Sequence, residues 1–493
     1  LNTFSNLGLP EPLLKAISAL GFETPSAIQE QGIPILLNDD TDFIGLAQTG
    51  TGKTAAFGLP LLTHIDPDQG HTQALILAPT RELCQQIAGQ MEAFAKFMPG
   101  LKTLAVYGGA AILPQLQALK KPVHVLIATP GRLIDLMDRK AAKLNKLRYV
   151  ILDEADEMLN FGFKEDIDTI LETSPDDLRT WLFSATLSPD IQSIVDHFMV
   201  DPKEIRLSRP NEANDQIEHQ YCLVMPKNKP EALCRFLDTE PDMRGIVFCR
   251  TKIDTQQLSD QLGPRGYRVD ALHGDLSQQQ RDRVTNKFRR NELQLLIATD
   301  VAARGLDVQD LTHVFHLNIP DDFAYYTHRA GRTARAGKEG ISLAMISPRD
   351  ESRLNQLSKR LRVDFAKVEV PDAKDIMRGR IRHWTERLLT MDTGTRKNNR
   401  LLTDVLEDLS ELSREELIHR VLLLEFDKLQ SHSNQDLNAT PEKYRESRHQ
   451  GGGRSGGKNS RFRPRQDSRG GGGGSQRDRD GSKSHGFKKR FRK

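Results

Sequence analysis

The sequence predicts an α/β protein with two parallel-sheet domains in tandem, and three observations carry that prediction. Short apolar runs recur from Phe43 onward, and amphipathic stretches long enough for helices separate them. The series also breaks once, near residue 210, and then begins again. Runs of this length joined by helical spacers form parallel sheets buried on both faces.

Taken in order, ALILA (74–78), KTLAV (102–106), VLIAT (125–129), YVILD (149–153) and TWLFSAT (180–186) supply strands of the first sheet. The polar stretch LSRPNEAND (207–215), with Pro210, suits a linker. GIVFC (245–249), RVDAL (268–272), LLIAT (295–299), HVFHL (313–317) and ISLAMI (341–346) supply the second sheet. Domains are expected at 1–207 and 216–365, joined through 208–215. Beyond them the period changes. Leu402, Val405, Leu406 and Leu409 fall at i, i+3, i+4 and i+7, and Ser413 with Glu416 makes a capping box ahead of Leu417, Val421 and Leu424. Residues 366–432 are therefore read as a small helical module. From 433 to 493 the chain turns to Gly, Arg, Ser and Lys, as in GGGRSGG and RGGGGGS. Such a composition buries too little surface to offset the entropy of ordering, so a disordered tail is expected.

The charge is divided along the chain. A net charge of +3 conceals +12 in residues 441–493, where 17 Lys and Arg stand against 5 Asp and Glu, leaving −9 on the first 440 residues. Phe462, Phe487 and Phe491 interleave with these cations, a pattern suited to phosphate attraction and base stacking. No run approaches the roughly 18 apolar residues that cross a bilayer, so no membrane partner is expected. Cys84, Cys222, Cys234 and Cys249 form no CxxC pair and have no His at metal-ligand spacing, which fits spectator thiols in a reducing cytoplasm. The chain opens at Leu1 rather than Met, and residues before it are expected.

Two motifs carry chemistry. FIGLAQTGTGKTAAF (43–57) reads as strand, Gly-rich turn and helix start. It fits the phosphate-loop pattern except that Ala47 stands where a first glycine is usual. Gly50 and Gly52 let backbone N–H groups curl around phosphate oxygens, Lys53 reaches the β/γ-phosphates, and the Thr54 hydroxyl suits Mg²⁺. The second is YVILDEAD (149–156), an apolar strand ending on clustered acids. Alone it reads equally as an acidic helix start or a metal site. Beside a phosphate loop the metal reading prevails: Asp153 faces the Mg²⁺ and Glu154 orients and deprotonates a water.

DEAD at 153–156, with the elements around it, resembles the DEAD-box family of RNA helicases. GFETPSAIQ (21–29) with Phe4 resembles the Q motif, and AQTGTGKT (47–54) motif I. APTREL (78–83), Gly108–Gly109 and TPGR (129–132) resemble the RNA-backbone motifs, and SAT (184–186) the coupling element. VFCRT (247–251), HGDLSQQQR (273–281), ATDVAARGLDV (298–308) and HRAGRTARAG (328–337) match in turn, the last with Ala334 in place of a frequent glycine.

The resemblance implies two RecA-like domains with ATP between them. It places Phe4, Thr24, Gln29, Gln48, Thr49, Gly50, Thr51, Gly52, Lys53, Thr54, Gly305 and Asp307 around the nucleotide, Gln29 reading adenine and Asp307 holding the ribose. Lys53, Asp153, Glu154, Arg332 and Arg335 would be catalytic, with Mg²⁺ on Thr54 and Asp153. Asp156, Ser184, Thr186 and His328 would couple ATP state to domain closure. Pro79, Thr80, Arg81, Gly109, Thr129, Gly131, Arg132, Arg250, Thr251 and Thr299 would face the RNA backbone.

The leading expectation is an RNA-dependent ATPase that separates short duplexes and remodels ribonucleoproteins. An ATP-gated RNA clamp and a DNA-translocating helicase are the alternatives. The first is opposed by intact Glu154, Arg332 and Arg335, the second by the DEAD and Q-motif signatures. PDAKDIMRGRIRHW (371–384) and the Leu-rich helices resemble the dimerisation region of cold-shock-type members, although packing on the second domain is the competing reading. The tail would tether RNA, and ribosomal precursors or RNA-degradation complexes are the expected company.

Overall fold

A computed structural model describes residues 3–47, 50–207, 216–303, 306, 308, 311–321, 323–334, 338–391, 405, 408–426 and 435–440. The first domain contains β1 (Phe43–Leu46), β2 (Ala74–Leu77), β3 (Thr103–Val106), β4 (Val125–Ala128), β5 (Tyr149–Leu152), β6 (Arg179–Ser184) and β7 (Lys203–Arg206). The second contains β8 (Ile217–Leu223), β9 (Gly245–Cys249), β10 (Val269–Leu272), β11 (Leu295–Thr299), β12 (His313–His316), β13 (Gly340–Ile346) and β14 (Ala366–Lys367). Each set forms one seven-stranded parallel sheet, ordered β3-β4-β2-β5-β6-β1-β7 and β10-β11-β9-β12-β13-β8-β14. Renumbered from its own first strand, the second order is identical to the first.

The α/β prediction holds, and each apolar run named in the sequence forms a strand. β7, β8 and β14 were not foreseen. β7 has three exposed residues of four and β14 only two residues in all, so neither has a readable period. Ala366–Lys367, placed with the helical module by sequence, instead pairs with β8.

Apolar side chains line both faces of each sheet. In the first, Phe57, Ile76, Ile127 and Phe183 fill one face, and Leu75, Leu126, Val150 and Leu182 the other. At about 1.5–3 kcal/mol for each buried aliphatic or aromatic side chain, these two layers dominate the stabilisation. Register matters for function. Leu46 pairs Ser184, and Leu77 pairs both Ala128 and Leu152. The strands therefore end level, and every chain segment leaving a carboxyl end emerges on one edge. Cys249 and Thr299 end level in the second sheet likewise. Ligands of open α/β sheets bind at this edge.

After β14, a helix over Ala373–Thr390 starts on an Asp372 capping box and packs against the helix Lys229–Thr239. Gly379 meets the Thr239 backbone so closely that a β-carbon would not fit. Arg380 bonds Asp238 at 2.6 Å. A second helix spans Arg414–Phe426, with the Ser413 hydroxyl accepting from the Glu416 N–H as the capping box requires. Most of the 402–409 stretch, the 208–215 linker and the 441–493 tail lie outside the described residues. No described helix is long and apolar enough to cross a membrane. All four cysteines are buried and free, and burial pushes the Cys222 and Cys249 thiols up to about 12.

Candidate nucleotide and RNA site

The turn after β1 leads into the helix Lys53–His64 through two left-handed glycines, Gly50 at φ 83° and Gly52 at φ 86°. The Q-motif segment clasps this turn from outside. The Ser26 hydroxyl donates to the Thr51 carbonyl at 2.7 Å, and the Gln29 amide donates to the Gly52 carbonyl at 3.0 Å. The other end of the Gln29 amide accepts from the Ser26 N–H at 2.9 Å. One end of Gln29 thus serves the phosphate loop, and the other caps its own helix. Phe4 is buried and stacks on Phe22 with centroids 6.4 Å apart, whereas Thr24 is exposed. Lys53 is buried and donates to the Ala47 carbonyl at 3.0 Å, so its ammonium stays within the loop.

β5 is followed directly by Asp153, which is 3% exposed. Burial pushes its carboxyl up to about 7; Lys53 pulls it down, while Glu154 and Asp156 add to the rise. Hard oxygen donors on a buried carboxylate and a hydroxyl, Asp153 and Thr54, suit Mg²⁺, which takes few protein ligands and completes its shell from phosphate and water. No group of three or more His, Cys, Asp or Glu among the described residues could hold a metal ion. Glu154 adopts φ 49°, ψ 51°, a left-handed conformation costing a non-glycine residue about 1–3 kcal/mol. The strain turns the chain sharply between strand and helix. The Glu154 N–H bonds Asp153 at 3.0 Å.

Asp156 collects donors. Its Oδ2 accepts from the Ala185 N–H at 3.2 Å, the Thr186 N–H at 3.1 Å and the Thr186 hydroxyl at 3.2 Å. Ser184 braces that turn by donating to the Thr186 carbonyl at 2.8 Å. From the second domain, the His328 ring lies 3.9 Å from the same Asp156 oxygen and 3.5 Å from Glu157. Burial pushes His328 down; Asp156 and Glu154 pull it up, and Arg332 and Lys53 add to the fall. Arg332 is buried and donates to the Leu306 carbonyl at 3.0 Å. Gln48, Thr49, Gly305, Asp307 and Arg335 lie outside the described residues.

The residues assigned to RNA gather on the carboxyl edges of the two sheets. Thr80 caps the helix Arg81–Phe94 through the Leu83 N–H, directly after buried Pro79. Thr129 precedes the helix Pro130–Asp138, which contains Gly131 and Arg132. The Arg132 guanidinium donates to the Ala110 carbonyl, next to Gly109 at φ 76°. In the second domain, Thr251 caps the helix Lys252–Leu262, exposed Arg250 pairs Asp321 at 2.7 Å, and Thr299 ends β11. Helix N-termini grouped on one edge offer N–H donors and positive dipole ends to phosphates. Arg81 behaves otherwise. It reaches across to Asp282 of the second domain at 3.0 Å, and Arg281 returns to Glu82 at 2.7 Å.

The DEAD/DEAH box helicase family matches residues 26–194, the helicase conserved C-terminal domain 228–337, and the helical domain of a probable ATP-dependent RNA helicase 376–434. An ATP-dependent RNA helicase CshA of Limosilactobacillus reuteri is 43% identical over 378 residues, 77% of this chain and 76% of its own. The DEAD-box ATP-dependent RNA helicase CshA of Bacillus subtilis (strain 168) is 40% identical over 388 residues, 79% of this chain and 78% of its own. The chain belongs to the DEAD-box ATP-dependent RNA helicases. Among solved structures, S. cerevisiae Dbp5 bound to RNA and ADP BeF3 is 31% identical with a TM-score of 0.71, covering 77% of this chain and 98% of that one. Mss116p bound to ssRNA and AMP-PNP is 28% identical with a TM-score of 0.69, covering 77% and 82%.

As a DEAD-box helicase this chain is an ATP-hydrolysing, RNA-binding enzyme. Its two domains meet through Arg81, Asp156 and His328, which the sequence singled out, and through Glu82, Glu157, Arg281 and Asp282, which it did not. Ser26, Glu82, Glu157, Arg281 and Asp282 all lie inside or beside quoted motifs. The acid–base complementarity of APTREL and SQQQRD was the available signal for the cross-domain pairs. Buried Arg329 pairs with half-buried Asp300 in the second domain, at 2.6 Å.

Proposed function

We propose that this helicase separates short RNA duplexes locally and remodels ribonucleoproteins by ATP-driven closure of its two domains. The observation carrying this reading is the contact of His328 with Asp156 and Glu157. One carboxylate oxygen serves both the Thr186 turn and the second domain's ring. A change at the nucleotide strand is thereby felt across the cleft.

Lys53 exchanges the Ala47 carbonyl for the β/γ-phosphates. Asp153 and Thr54 hold Mg²⁺, which when bound shields phosphate charge. Glu154, held at the strained end of β5, accepts the proton of the attacking water. Arg332, with Arg335, meets the charge that develops on the γ-phosphate, and this compensation is complete only with the domains together. The Gln29 amide, already beside the phosphate loop, exchanges protein partners for the adenine edge. Phe4, Thr24, Gln48, Thr49, Gly305 and Asp307 complete the nucleotide's surroundings. RNA phosphates compete with Asp282 for Arg81 and lie across the helix N-termini of both domains. Since ATP and RNA favour one closed state, each tightens binding of the other.

The proposal extends to a homodimer through 366–432, where Leu388, Leu389, Leu423 and Leu424 are exposed. It also includes a cytoplasmic setting, with structured ribosomal precursors or RNA-degradation complexes as company. Glu154→Gln tests the mechanism. Phosphate release should fall by about 10²–10⁴ while ATP binds and RNA is held longer. Rapid RNA release with ATP present would remove Glu154 from the role of general base.

A further inference from the structure

The helical segment after the second sheet leaves and returns at one place. Arg235, 2% exposed on the helix Lys229–Thr239, donates one guanidinium nitrogen to the Pro371 carbonyl at 3.2 Å. It donates the other to the Gln435 carbonyl at 2.9 Å. One side chain therefore staples both feet of an excursion more than sixty residues long. The returning strap, Gln435–Thr440, then docks. The Asn438 side chain accepts from the Val370 N–H at 2.8 Å, and the Ala439 N–H donates to the Leu223 carbonyl at 2.8 Å. Asn438 forms an antiparallel bridge with Val224. Leu437 is 3% exposed, packed among Val224, Leu233 and Val370.

Val224 directly follows β8, so the strap sits at the carboxyl edge of the second sheet. Arg250, Thr251 and Thr299 leave the same edge. β8 is three strands from β9 in the sheet order, or roughly 14 Å at the usual strand spacing. We propose that Gln435–Thr440 is an anchor that pins the returning chain to this edge and delivers the basic 441–493 segment beside the RNA-facing loops. The delivery half rests on the reading of that segment as RNA-binding; the anchor half does not.

Hydrogen exchange on the full chain tests the anchor. Residues 435–440 and 368–371 should be protected together, and Leu437→Asp should release both while the sheets stay protected. Free exchange of 435–440 in the unmutated protein overturns the anchor. Should Leu437→Asp unfold the domain, Asn438→Ala removes the bond from the Val370 N–H, together with the strap's own Asn438–Asp436 bond, and gives the same readout. For delivery, Leu437→Asp should weaken binding of a single-stranded RNA oligomer about two- to five-fold, because a longer tether dilutes the cations. The maximal ATPase rate should not change, and Leu437→Met should restore affinity. If truncation at 440 weakens RNA binding and Leu437→Asp does not, delivery is overturned. If truncation also changes nothing, the RNA reading of the tail fails and delivery with it, while joint protection still supports the anchor.

Discussion

At the scale of single residues, the phosphate loop is held by internal bonds from Lys53 to Ala47 and from Gln29 to Gly52. Gly52 shows how closely. It has a positive φ, and a β-carbon there would collide with the Gln29 amide that grips its carbonyl. Gly52→Ala should therefore lower ATP affinity by at least about tenfold, the cost of a left-handed alanine and a displaced Gln29 together. Fluorescent-nucleotide titration would measure it, with unchanged circular dichroism confirming the fold. The placing of Lys53 at a helix start and of Asp153 and Glu154 just past a strand was legible, because a glycine-rich turn and an apolar run flank them in the sequence. The internal partners of Gln29 and Arg81 were not. They depend on segments 23 and 201 residues away, and a side-chain amide or guanidinium carries no mark of its partner.

Among the elements, strands buried on both faces were the most readable, since apolar runs such as YVIL allow little else. The short edge strand β14 and the strap at 435–440 were unreadable: each is too brief to carry a period, and backbone pairing decides both. A buried polar cluster in the second domain was equally hidden. His219 on β8 meets the Tyr326 hydroxyl at 2.7 Å, which meets the Ser342 hydroxyl at 2.9 Å, which in turn meets His316 on β12 at 2.9 Å. Tyr326 lies on the helix carrying His328, so the cluster seats that helix on its sheet. Burial pushes His219 down to about 4, and His316 falls as well. The unfolded chain takes up a proton near pH 6.5, whereas the folded His219 stays neutral until about 4. Stability is thus full above pH 6.5 and lost as pH falls from 6.5 toward 4, by roughly 3 kcal/mol for His219 alone. Urea midpoints of the second domain at pH 7 and pH 4.5 should differ accordingly; equal midpoints would mean that His219 titrates normally.

For the whole molecule, catalysis and RNA capture should separate. Every described catalytic candidate lies upstream of residue 335, while the +12 segment begins at 441. Truncation at 440 should leave the ATPase rate at saturating RNA unchanged. It should reduce the slope of log K against log salt by roughly two to four units, at about 0.7 per phosphate neutralised on a single strand. RNA titrations at several salt concentrations would show it, and matching slopes would clear the tail of phosphate contact. The domain order, too, was legible from the restarted series of apolar runs. The cross-domain pairs of Arg81 with Asp282 and Glu82 with Arg281 were not, since they join two halves that sequence reading treats separately.

The two sheets share one strand order. The segment after β8 then stands where the phosphate loop stands after β1. Lys229 heads the following helix as Lys53 heads its own, half-buried and donating to the Leu317 carbonyl. Against that turn the chain has laid its own Asn438. The first sheet carries a glycine-rich turn at this place and the second a turn covered by Asn438, which sets a stoichiometry: calorimetric titration with a non-hydrolysable ATP analogue should saturate at one nucleotide per chain.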